Sequence, residues 1–538
     1  MKLPIILLVL IAHLLTLTSC FDGKTTLETA TQEGILIVGN GNEPKALDPH
    51  LVSGVIEGNL LRALFEGLCT GHPSEDETIL PGAATQWTSN ADSTIWTFSL
   101  NPLGTWSDGM PVTAYDFTFA YQRMLHPEFP SKYSDMLFFI KNAEEYNKGK
   151  VKDFAQVGVK ALNEFTLEIT LNNPTPFLPE LTKHFTWLPV PKHKILEYGS
   201  MTEPHTAWTH EGNLISNGPF RLKKWRQNHY IEVEKNPTYW DKDNVKLNGI
   251  RFLPIKNINS ETRMFLNDQL HVTYNIPPDF IPTALKDYPS QVKQELYIGT
   301  RFVRTNTTKP FTSNKKVRQA LSLCLNRQSM IDNILQGGQK VAGSMTPPFG
   351  SYTPEFQTSY DPERARKLLK EAGYTDPNRL PELSFLTTDS DVNRRMAEAM
   401  QAQWKKHLGI RVRIVQREWK SYLKMRSQLE FDLLDGAWIG DYLDPTTFLD
   451  LWKSSNGNNN TGWKDASYDA ILTEAEVISD PSQRYKKLLE AESYAMAELP
   501  AIPVYHYTSN YFLSSGVKNW HSLLLRNQPY KFLELIEE

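Results

Sequence analysis

Cysteine is scarce in this sequence, with only Cys20, Cys69 and Cys324 among 538 residues. So few cannot build a disulfide framework, and they leave a single bridge or buried free thiols open. An excess of basic charge is also missing. Against 61 Asp and Glu stand 57 Lys and Arg, a net charge of −4, which excludes the basic stripe that a nucleic-acid partner requires. No GxSxG elbow and no Walker sequence occurs, and His210–Glu211 is not followed by the second histidine of a zinc protease. GNGNEP at 39–44 lacks the third glycine of a dinucleotide loop, and the 13 histidines show no pair at metal-ligand spacing on one helix face. The expectation is no catalysis, no metal and no cofactor. Internal repeats and low-complexity tracts are absent too.

One uninterrupted apolar run exists, from Leu3 to Cys20, with no Asp, Glu, Lys or Arg after Lys2. It reads as an export signal over 1–19, a retained membrane anchor being the alternative. Leu17, Thr18, Ser19 and Cys20 resemble a bacterial lipobox, which implies acylation of Cys20 and attachment to a lipid bilayer on the periplasmic or cell-surface side. Residues 20–33 lack apolar periodicity and read as a tether.

The remainder is too long for one hydrophobic core, so two or three lobes are expected. FTLEITL (165–171) and GIRVRIV (409–415) alternate apolar and polar residues as half-buried strands do, and YIEVEKNPTYW (230–240) reads as a strand entering a turn. In DPERARKLLKEAG (361–373), Asp361 caps, Pro362 takes the first helical position, and Ala365, Leu368, Leu369 and Ala372 share a face that Gly373 closes. Asp480 and Pro481 open a second helix in the same way. VRQALSLCLNRQSMIDNIL (317–335) reads as a third, with Val317, Leu321, Cys324 and Ile331 on its apolar side. Strands and helices mixed along the whole chain predict an α/β protein.

Aromatic residues are plentiful, 13 Trp, 22 Tyr and 25 Phe, and most belong in a core. Trp106, Trp225, Trp438 and Trp463 lie instead in Gly-, Asn- or Pro-rich segments beside isolated charges, a composition suited to a ligand cleft. GAWIGDYLDP (436–445) is such a segment, with two carboxylates, Asp441 and Asp444.

Several segments together resemble the oligopeptide-binding proteins of ABC importers. They are EPKALDP (43–49), FEGL (65–68), GTWSDGMPVTAYDFTFAYQRML (104–125), NGPFRLKKW (217–225), EKNPTYWD (234–241), KPFTSNKKVRQALSLCLNR (309–327), RARKLLKEAGY (364–374), GAWIGDYLDP and LPAIPVYHY (499–507). The resemblance implies a periplasmic-binding-protein-like fold of three lobes around a hinged cleft. Lobe I would combine 34–65, 191–298 and 508–538, lobe II would be 66–190 and lobe III 299–507. It implies a monomer that captures short peptides, passes them to the permease subunits of an ABC transporter and catalyses nothing.

By the same resemblance Asp441, in W-x-x-D-Y, receives the peptide ammonium, while Asp444 and Pro445 read as turn formers. Trp438 and Trp419 match walls of side-chain pockets, and Tyr133 and Val55 match ligand-contact positions. SGVIEG (53–58) and RFVRTN (301–306), the latter ending in Asn306, are candidate strands for pairing with an extended peptide. Near the ligand's carboxylate end this sequence departs from the family's best-known members. Arg426 keeps one of two arginines, Asp435 replaces the nearer one, Asn393 replaces a histidine, and Arg304 stands where an acidic residue is usual. Drift in a tolerant cleft and altered ligand choice both remain open, the latter including a cell-wall peptide or a positive ligand group near Asp435. Other readings of the fold are a metal chelate, haem or sugar receptor, and a surface interaction protein.

Overall fold

The computed structural model describes residues 24–537 apart from 355, 357 and 358, so Cys20 and the export signal lie outside the described residues. Three main sheets organise the chain. The first runs in the order Ile35–Gly39, Gly249–Leu253, Tyr230–Lys235, Phe220–Arg226, with only its first pair parallel. The second, Ala84–Ser89, Ile95–Leu100, Thr166–Thr170, Val159–Asn163, is antiparallel throughout. Its alternation works as expected: Leu167 and Ile169 are fully buried while their neighbours on the other face are not. Each such burial stabilises by about 1.5–3 kcal/mol.

The third sheet has six strands, ordered Lys340–Val341, Ala501–Phe512, Val292–Thr305, Leu433–Ile439, Leu383–Thr388, Val412–Arg417. Its last two strands are parallel and therefore need a crossover. The helix Asp391–Leu408 supplies it, burying Met396, Met400 and Trp404 and stopping at Gly409, whose φ of 74° suits glycine. Two long strands link distant cores. Val292 and Phe512 pack with Ile37 and Phe265, whereas Val303, Ile502 and Val504 belong to the core beneath the six-stranded sheet.

Three local expectations are corrected. Residues 26–32 form a helix, not a tether: Thr25 and Glu28 close a capping box, Ala30 is buried, and the Leu27 amide donates to the Asp268 carbonyl at 2.9 Å. A short amphipathic turn held by tertiary contacts leaves too little periodicity to notice. The stretch 317–335 is broken into Lys315–Leu323, Arg327–Met330 and a wide turn Ile331–Leu335, although Val317, Leu321, Cys324 and Ile331 are all buried. Asn326 ends the first piece and caps the second by accepting from the Ser329 amide at 2.9 Å. Asp444 is more than a turn former. It accepts two hydrogen bonds from Arg484, at 2.6 and 2.9 Å, with both side chains buried. Cys69 and Cys324 are buried free thiols, which burial pushes up to about 12.

Candidate functional site

The strand Leu433–Ile439 is held on one side only over most of its length. Residues 433–439 pair in register with 305–299 of the long strand, but the Leu383–Thr388 strand covers only Leu433 and Leu434 on the other edge. Alternate residues beyond Leu434 therefore turn N–H and C=O toward an edge with no neighbouring strand among the described residues. A cavity of about 300 Å³ opens there, lined by Ala437, Trp438, Gly440 and Asp441 and, across from them, by Val55 and Tyr133.

Asp441 follows directly from this edge. Its amide donates to Thr447 Oγ1 at 3.1 Å, which fixes the turn, and Tyr133 Oη approaches its carboxylate at 3.5 Å. No basic side chain pairs with it among the described residues. Burial first and Asp135 second push the Asp441 carboxyl up to about 7, against the lowering effect of the Tyr133 hydroxyl. Tyr133 is stacked on His184, which burial and the nearby Arg62 keep neutral, with a pKa lowered to about 3. The wall closes by contacts between the second and third sheet regions: the Leu443 amide donates to Glu180 Oε1 at 3.4 Å, and Tyr442 stacks on Phe177.

Val55, expected on a strand, begins the helix Val55–Leu64 and is 42% exposed into the cavity. Gly54 before it has extended backbone and no side chain with which to cap the first turn. A Cβ there would stand 2.4 Å from Glu57 Oε2. RFVRTN is a strand, but residues 301–304 are paired on both edges and cannot add another partner. Trp438 lines the cavity, with its indole nitrogen buried and without an acceptor. Trp419 lies apart, 56% exposed and stacked on Tyr422.

The remaining candidates divide. Asp435 is not an unpaired charge: Arg301 grips both of its oxygens, Nε to Oδ1 at 2.7 Å, and Thr387 donates to Oδ2 at 2.7 Å. A positive ligand group is therefore not needed to neutralise it. Asn306 is fully buried and fully used, donating to the Leu429 and Phe431 carbonyls and accepting from Thr308, so it braces loops and does not face the cavity. Asn393 donates to Thr388 Oγ1 at 2.7 Å. Arg304 and Arg426 stand together on the opposite face of the sheet from Asp435.

Sequence reasoning missed Arg62, which lines the cavity and holds Asn59 Oδ1 at 2.5 Å while its Nε finds no acceptor. The signal was a lone arginine inside the apolar run NLLRALF.

Residues 78–460 match the family model described as "Bacterial extracellular solute-binding proteins, family 5 Middle". The periplasmic oligopeptide-binding protein OppA of Salmonella typhimurium is 35% identical over 488 residues, covering 88% of this chain and 87% of that protein. The structure of the Escherichia coli murein tripeptide binding protein MppA superposes with a TM-score of 0.82 at 33% identity, covering 94% of this chain and 98% of the other. For the unliganded open form of MppA the score is 0.76.

Proposed function

The chain belongs to the bacterial extracellular solute-binding proteins of family 5 and is not an enzyme, and from this we propose that it captures short peptides by their amino terminus and delivers them to an ABC-importer permease. The observation that carries the reading is Asp441: a half-buried carboxylate in the cavity wall, without a basic partner among the described residues, beside an unpaired strand edge. A peptide supplies both missing partners. Its α-ammonium pairs with Asp441, and its backbone extends the sheet along 435–439 whatever its side chains are. The uncapped first turn at Val55 offers further amides to the opposite edge of the ligand. Salmonella OppA and E. coli MppA, named for oligopeptides and murein peptides, support the peptide class and leave ordinary and cell-wall peptides as alternatives. In this reading the residues 34–65, 191–298 and 508–538 move as one lobe against 66–190 and 299–507, and Cys20 anchors the protein by its acyl groups.

A double-mutant cycle tests it by calorimetry, using wild type and Asp441→Ala with a free or an N-acetylated tetrapeptide. Leaving a buried ammonium unpaired costs about 3–5 kcal/mol, a loss of hundreds-fold or more in affinity. Acetylation should cost wild type a comparable amount and the variant little, since both changes remove the same pair. Additive losses would overturn Asp441 as the amine receptor.

A further inference from the structure

Between Lys405 and Lys424 stand seven Lys and Arg and one acid, Glu418, in a chain whose net charge is −4. Lys405 and Lys406 lie in the last turn of the helix Asp391–Leu408. Arg411 and Arg413 flank the start of the strand Val412–Arg417, Arg417 ends it, and Lys420 and Lys424 stand one turn apart on the helix Trp419–Ser427. All seven side chains are exposed, and none makes an ion pair among the described residues. Elsewhere on the surface Lys148, Lys194, Lys224, Lys316, Arg394 and Lys487 each reach a carboxylate. The one acid of the stretch is spent locally: Glu418 caps its helix by accepting from the Lys420 amide at 3.0 Å.

The three elements meet at one edge. Val412–Arg417 is the last strand of the six-stranded sheet, paired with Leu383–Thr388 alone, and both helices pack on it, Leu408 with Val412 in one core cluster and Tyr422 with Val415 in another. A strand rises about 3.3 Å per residue, so Arg411 and Arg417 alone stand about 20 Å apart. Cations spread that far cannot converge on one small anion, whose oxygens each would have to reach at about 3 Å. They match an extended anionic surface. Charge on an edge strand also keeps the edge from pairing, which accounts for Arg411 and Arg413 and leaves the four lysines on the helices without a role. Trp419 separates a membrane from a dissolved polyanion. It is 56% exposed between Arg417 and Lys420 and stacks on Tyr422. An exposed indole among cations gains nothing in water, whereas at a bilayer it enters the headgroup layer while neighbouring Lys and Arg stems hold their charged ends at the phosphates.

We propose that this edge of the six-stranded sheet is a docking face for an anionic lipid bilayer. The strand Leu383–Thr388 separates it from the cavity strand, so the cleft stays open to its ligand while the face is engaged. The face acts independently of Cys20 and of what the cleft binds. To test it, the chain from residue 21 onward, which contains every described residue and lacks Cys20, is pelleted with large vesicles of phosphatidylcholine or of an equal mixture with phosphatidylglycerol. Wild type should partition onto the mixed vesicles at least tenfold better, and about 0.5 M salt should abolish the difference. One cation at such a surface is worth about fivefold. The pairs Lys405→Gln with Lys406→Gln, Arg411→Gln with Arg413→Gln, and Lys420→Gln with Lys424→Gln should therefore each lower partitioning about tenfold or more, and Trp419→Ala about threefold or more. Three separate pairs keep the test standing if one of them destabilises the fold. Lys223→Gln with Lys224→Gln removes the same charge from side chains already paired with Glu232 and Glu211, and should change partitioning by less than threefold. Equal partitioning onto the two kinds of vesicle, or a loss in this control as large as in the three pairs, overturns the proposal. Calorimetric binding of long-chain polyphosphate without binding to the vesicles also overturns it and assigns the face to a dissolved polyanion.

Discussion

Asp435 and Asp441 flank the same cavity edge, yet one is closed and the other open. Asp435 has its charge met inside the protein, by two bonds from Arg301 and one from Thr387. Asp441 is half-buried and, among the described residues, meets only the Tyr133 hydroxyl and the like charge of Asp135. The partner makes the difference: a paired carboxylate contributes to folding, and an unpaired one leaves room for the outside cation that the proposed amine pairing supplies. Two acidic residues that look alike in a sequence thus differ in the fold: one is paired inside the protein, and the other is the one that the proposed amine pairing uses.

Truncating each gives the largest expected contrast. Asp435→Ala leaves Arg301 buried and uncompensated, which should cost about 3–5 kcal/mol of stability, whereas Asp441→Ala removes an unpaired buried charge and should leave stability at pH 8 equal or higher. Chemical denaturation of the two variants beside wild type measures this. A loss of similar size at both positions would erase the distinction. An Arg301→Met, Asp435→Leu double variant sharpens it further, because replacing both ions together should recover most of the stability that Asp435→Ala loses.

Much of this contrast was not legible in the sequence. The alternation of FTLEITL and the capped start at Asp361 and Pro362 are local signals, and the corresponding strand and helix stand where they were expected. Asp441 was singled out through the W-x-x-D-Y motif, whose Trp438 and Asp441 both line the cavity. The partner of Asp435 was hidden because Arg301 lies on a different strand, and only the antiparallel register brings the two together. Non-local pairing explains Asp444 in the same way: it reads as a turn residue until the helix Pro481–Glu498 places Arg484 against it. SGVIEG failed for the opposite reason. It was expected as a strand for pairing with an extended peptide, but Gly54 and the apolar face of Leu60, Leu61 and Leu64 make it the start of a helix.

Acidity offers a second way to separate the two carboxylates. The folded Asp441 pKa, about 7, exceeds the ordinary carboxylate value, so the unliganded protein binds a proton there that an ammonium ligand must displace. Peptide affinity should therefore rise about tenfold per pH unit as pH increases toward 7. It should level off and then fall above pH about 8, where a free α-amino group loses its proton. Calorimetry in buffers of different ionisation enthalpy should show proton release on binding at pH 6. For the unliganded fold the sign is reversed: the raised pKa stabilises it at low pH, and this contribution is lost as pH rises through about 7. In Asp441→Asn both dependences should flatten. A pH profile unchanged by that substitution would assign the titration to another group.

The smallest expected effect concerns the two tryptophans on either side of this contrast. Trp438 belongs to the open side, lining the cavity with a buried indole, whereas Trp419 belongs to the closed side. Trp419 is more than half exposed and stacks on Tyr422 at a centroid distance of 5.4 Å, and Tyr422 in turn donates its hydroxyl to the Asp435 carbonyl at 2.8 Å. Removing the indole therefore loosens a brace on the paired carboxylate without reshaping the cavity. Trp419→Ala should cost about 0.5–1.5 kcal/mol of stability, the usual worth of a stacked aromatic pair, and should change the affinity for a neutral amidated tetrapeptide by less than threefold. Trp438→Ala should weaken the same peptide by about tenfold or more, as expected for an aromatic wall in a desolvated site. Equal losses of affinity in the two variants would mean that the ligand reaches Trp419, and the boundary between the open and closed sides of this strand would have to be redrawn beyond the helix Trp419–Ser427.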